Sequence, residues 1–109
     1  MSTQFAYRHL VIAVGDLAQP APAQVALLEK DGLRNADELA LEFDDWLVRA
    51  RDALAPGLLT LLDELNALLE DMSGPTGPWS FEALATAPEW ARVRELASRA
   101  FALFGRPEA

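Results

Sequence analysis

The apolar positions between Asn35 and Met72 recur at helical spacing. Leu39, Phe43, Trp46, Leu47, Ala50 and Leu54 fall on one stripe at about 100° per residue, which predicts an amphipathic helix from Asn35 to about Leu54 with both aromatics facing a core. Asn35 is placed to cap it, Glu38 follows three residues on in a capping-box arrangement, and Asp37 favours the same first turn. Pro56-Gly57 interrupts. The next helix runs to about Met72, and Leu58, Leu61, Leu62, Leu65, Leu68, Leu69 and Met72 cover nearly half its circumference. So wide a stripe implies several neighbours and marks this segment as the expected central helix.

The flanks follow the same period less cleanly. Val11, Ile12 and Val14 suit a strand, but Tyr7, Leu10, Val11, Val14 and Leu17 recur at helical spacing and predict a helix over 5–18. After the break at 19–22, Pro22 fits the first turn of a short helix that carries Val25, Leu27 and Leu28 and closes at Gly32. SGPTGP at 73–78 reads as a loop. Trp79 can staple onto Leu84 across a short helix from Phe81 to Ala85, with Ser80 before it. The last helix takes Thr86 as cap and Pro88 in its first turn, and it stops at Gly105 with Pro107 beyond. Its expected buried stripe is Trp90, Val93, Ala97, Ala100, Phe101 and Phe104, with Arg92, Glu95 and Arg99 facing out. The predicted class is all-α: one domain over residues 1–109, a compact antiparallel helical bundle of four main helices plus one or two short ones.

Charge adds a location to this scheme. The net charge is −8, and residues 29–71 hold twelve acids against four bases, so the whole excess lies in the middle of the chain. Such a field repels nucleic acid and anionic lipid and favours a basic protein partner. The chain has no cysteine, which removes disulfides, thiolate nucleophiles and sulfur-ligated metals. MSTQFAYRHL lacks the features of a secretory signal, and no stretch approaches the roughly 20 apolar residues of a membrane span, so the expectation is a cytoplasmic protein that meets neither membrane nor nucleic acid.

Little in the sequence points to catalysis. There is no Gly-x-Ser-x-Gly elbow, no glycine-rich phosphate loop and no second histidine beside His9. Glu38, Glu42 and Asp45 have the spacing of carboxylates that share a helix side and could hold a hard cation, with Asp63, Glu64, Glu70 and Asp71 as a second set. Bundle metal sites aim such groups inward, whereas these face away from Phe43 and Trp46, so a solvated acidic face is the favoured reading and no cofactor is expected. Leu41 and Val48 lie opposite the core stripe among Asp37, Asp44, Asp45 and Asp52. An apolar pair ringed by acids has the anatomy of a binding patch, unless the pair covers another helix of the same chain.

Several features together resemble the small acidic all-helical bacterial immunity proteins of the colicin and pyocin type. They are a capped helix with the acid-aromatic pair Glu42-Phe43, then Leu62-Asp63-Glu64-Leu65, a Gly/Pro loop, and a final helix. The resemblance spans roughly Asn35 to Phe104. It implies an inhibitor that neutralises a basic, nuclease-type toxin domain, with Glu38, Glu42, Asp44, Asp45 and Asp52 pairing with its Arg or Lys and Leu41 and Val48 excluding water. The first expectation is therefore a non-catalytic binding module of immunity or antitoxin type. A divalent-metal carboxylate enzyme or metal binder is the second, and a homo-oligomeric structural protein the third.

Overall fold

The computed structural model describes residues 3–33, 35–73 and 77–104. Among them are six α-helices, one 3₁₀ turn and no strand: α1 (Thr3–Ala18), α2 (Ala21–Lys30), α3 (Asp37–Ala50), the 3₁₀ turn Arg51–Ala53, α4 (Pro56–Asp71), α5 (Phe81–Thr86) and α6 (Pro88–Phe101). The middle of the 73–78 loop and the expected stop at Gly105 and Pro107 lie outside the described residues.

Helix α1 is the hub of the packing, a role expected for α4. It lies against both α3 and α6, whereas α4 packs mainly on α6 and only lightly on α3. The reason is side-chain size. The buried face of α1 alternates Ala6, Leu10, Ala13, Val14 and Leu17, and the alanines let neighbouring backbones come close. Gly15 extends this effect, because a methyl group there would meet the Phe101 ring at 3.0 Å. Phe101 thus covers the α1 backbone yet stays 46% exposed, which corrects its expected place in the buried stripe of α6. Leu96 fills that stripe instead, with Trp90, Val93, Ala97 and Ala100.

The helix ends follow local chemistry. Gly32 has φ +74°, the Gly32 N–H donates to the Glu29 carbonyl and the Leu33 N–H to the Leu28 carbonyl, which closes α2 with a Schellman motif. Ser80 caps α5 by accepting from the Ala83 N–H at 3.0 Å. Thr86 does not cap α6. Pro88 drives the preceding residue into extended backbone (φ −72°, ψ 134°), so Ala87 becomes the flanking residue, and Thr86 ends α5 with its hydroxyl on the Glu82 carbonyl. Asn35 is likewise one residue early: its Oδ1 accepts from the Asp37 N–H at 3.1 Å, but Ala36 occupies the cap position because its N–H is tied to the Trp79 carbonyl at 2.7 Å. Helix α3 stops at Ala50 and tightens into the 3₁₀ turn, short of the expected Leu54.

Among the described residues one polar side chain is fully buried. Gln24 donates through Nε2 to the carbonyls of Asp16 and Leu17, the orphan acceptors at the end of α1, and accepts from Arg94, which also donates to the Leu84 carbonyl. This network ties α1, α2, α5 and α6 with every buried side-chain polar atom among the described residues partnered. Burial without a carboxylate partner pulls the pKa of Arg94 below its ordinary value.

Candidate functional site

The acidic middle of the chain resolves into two surfaces on opposite flanks of α3. Phe43 and Leu47 set the orientation: both are buried against the core, which forces residues 41, 44 and 48 outward and residues 38, 42 and 46 to the side facing α1. On the outer face, Leu41 is 58% and Val48 66% exposed, so neither covers another helix. Asp37, Asp44 and Asp45 are exposed beside them. Asp45 is 3.5 Å from Arg49, an exposed pair that contributes little and leaves the carboxylate accessible. Asp52 lies beyond Val48, on the 3₁₀ turn rather than on the helix.

A groove of about 470 Å³ opens from this face toward α4. Ala40, Leu41, Leu69 and Trp79 form its apolar lining, while Asp37, Asp44 and Glu70 stand on its edges. The Ala36–Trp79 backbone bond holds one wall. Trp79 is fixed in turn by an edge-to-face contact with Trp90, whose Nε1–H donates to the Pro78 carbonyl at 2.7 Å.

The second surface lies along the seam of α1 and α3. Trp46, expected in the core, is only half-buried there. Its ring stacks on His9 (4.4 Å, 17°), meets Phe5 edge-on at 5.8 Å, carries the Arg49 guanidinium 5.2 Å from its centroid, and donates from Nε1 to Glu42 Oε1 at 3.0 Å. Trp46 sits about 60° from Phe43 around the helix, at the stripe's edge, where Phe5 and His9 of α1 cover it only in part. Glu42 thus lies beside Trp46, and not on a side away from it. Farther along the seam, Asp16, Asp31, Glu38 and Glu42 line a hollow of about 330 Å³ whose walls are Ala13, Leu27, Leu28, Leu33 and Leu39. Burial raises the Asp16 carboxyl above its ordinary range, and the charge of Glu42 raises it further.

The eight residues expected to form one partner surface are therefore distributed. Asp37, Leu41, Asp44, Asp45 and Val48 share the outer face, Glu38 and Glu42 belong to the seam, and Asp52 sits on the turn. Sequence reasoning missed Phe5, His9, Asp16 and Trp46 as surface residues; the i+4, i+7 and i+11 spacing of His9, Ile12 and Asp16 from Phe5 on α1 was the available signal. Glu38, Glu42 and Asp45 do not converge with the acids of α4. Asp63 bonds Arg51 at 2.8 Å, and among the described residues no group of three or more His, Asp or Glu side chains is placed to hold a metal ion. No helix of the described residues is long and apolar enough to cross a membrane. Neither a family model, nor a curated protein, nor a solved structure matches the chain.

Proposed function

We propose that this chain is a protein-binding module, an inhibitor of immunity or antitoxin type, that uses the outer face of α3 to engage a basic protein partner such as a nuclease-type toxin domain. In this reading an antiparallel bundle of the four longest helices serves as a rigid platform. The observation that carries it is the exposure of Leu41 and Val48 on a helix whose neighbouring side chains are carboxylates. An apolar centre gains affinity when desolvated, and a rim of one charge steers encounter and rejects partners of the same sign. The groove toward α4 lets the contact extend past Leu41 without rearrangement of the platform.

The metal reading draws no support from the placement of the carboxylates: among the described residues no three of them are placed to hold one ion. Affinity capture from the source cells, followed by calorimetry with the purified partner, tests the binding reading. A partner of net positive charge, with affinity lost on joint reversal of Asp44 and Asp45 to Arg, supports it. A confirmed interaction that the double reversal leaves unchanged contradicts the assigned face.

A further inference from the structure

We infer that the seam of α1 and α3 is a second docking groove, one that accepts an arginine- or lysine-bearing segment of a basic partner; this rests on the reading above only for the sign of the partner's charge. The seam has two adjoining parts. At one end, Phe5 (43% exposed), His9 and Trp46 make a ring cluster, and Ile12, 59% exposed, falls on the same face of α1. Trp46 is fixed before any partner arrives, by stacking on one side and its bond to Glu42 on another, so an incoming chain meets an ordered aromatic surface at small entropic cost.

At the other end lies the hollow between α1, α2 and α3. Among the described residues its charged lining is four carboxylates, and its walls are leucines and an alanine. That combination matches one side-chain chemistry, a cation on an aliphatic stem: the leucines cover the stem and the carboxylates receive the head. A neutral or acidic segment would leave the four charges uncompensated as water is displaced. Asp16 already bears that burden, since burial and Glu42 both disfavour its ionised form. A second copy of the chain is a poor occupant because each copy carries −8. Glu42 joins the two parts, with one oxygen on the Trp46 indole and its side chain on the rim of the hollow.

The test is amide and indole proton–nitrogen correlation spectroscopy during titration with a synthetic amphipathic helix of alternating leucine pairs and arginine pairs. The same peptide with glutamates in place of arginines serves as control. The arginine peptide should shift the Trp46 indole and the amides of Asp16, Glu38 and Glu42, and Glu42→Gln should weaken binding about tenfold, the loss of one charge-assisted contact. The Gln oxygen still accepts from the Trp46 indole, so preserved spectral dispersion separates lost charge from lost structure. Shifts confined to residues 41, 44 and 48 would overturn the seam while leaving the outer face standing. No shift at all, or equal binding of the glutamate peptide, would also overturn it, while the outer face would still be judged by the captured partner.

Discussion

The two flanks of α3 are both acidic, yet they are built on different terms. The outer face is open: its carboxylates are solvated, its apolar pair is more than half exposed, and the groove toward α4 gives it relief. The seam is partly closed, with Asp16 and Glu38 drawn among leucines and with aromatics already stacked. Equal charge on a helix is thus not equal chemistry. Solvated acids steer a partner from a distance and are screened by salt, whereas half-buried ones discriminate at contact.

The largest effect should come from the residue that separates the flanks. Phe43→Ala removes a fully buried ring and should destabilise the protein by about 3–5 kcal/mol, while Trp46→Ala, three residues away, should cost about half of that or less. Urea unfolding of the two variants measures the difference; equal costs would mean that Trp46 belongs to the core and that the seam is no surface. Next comes the buried network around Gln24. Gln24→Ala leaves Arg94 and the last carbonyls of α1 short of partners in a buried site and should cost about 2–3 kcal/mol, read by the same method. A loss of only a few tenths would show that water replaces the amide.

A smaller effect of opposite sign should appear at Asp16. Its pKa is raised on folding above the ordinary 3.8, so the folded protein holds this proton more tightly than the unfolded chain. The contribution of the group is fully present below pH 3.8 and is lost as pH rises through the folded value, so at neutral pH the ionised carboxylate destabilises. Asp16→Asn should therefore raise the melting temperature at pH 7, with the gain vanishing below about pH 3.8. A lowered melting temperature at pH 7 would indicate a stabilised carboxylate and a seam already neutralised.

The helices were legible before the structure, the division of the acids between two surfaces was not, and the limits have physical causes. The 3.6-residue period located the helices and put Leu41 and Val48 opposite Phe43, but it left open whether another helix covers them. The period could not rank neighbours. It weights large side chains, so α4 with its leucines looked central, whereas α1, with Ala6, Ala13 and Gly15 among its residues, packs on both α3 and α6. Trp46 sat at the edge of its stripe, and whether an edge position is buried depends on the helix across from it. The capping errors at Asn35 and Thr86 arose because tertiary contacts and proline geometry decided them: the Trp79 carbonyl takes the Ala36 N–H, and Pro88 dictates the backbone of Ala87. Asp16 lies outside the acidic run from Glu29 to Asp71 and reaches the seam only through folding.

The most direct test of the central claim is the association rate of the captured partner with the wild-type chain and with the joint Asp44→Arg and Asp45→Arg variant, measured by stopped flow across salt concentrations. The account predicts a rate that falls steeply with salt in the wild type, and a variant rate at low salt lower by about tenfold or more and nearly salt-independent. Equal rates in the two proteins, with the same dependence on salt, would contradict it.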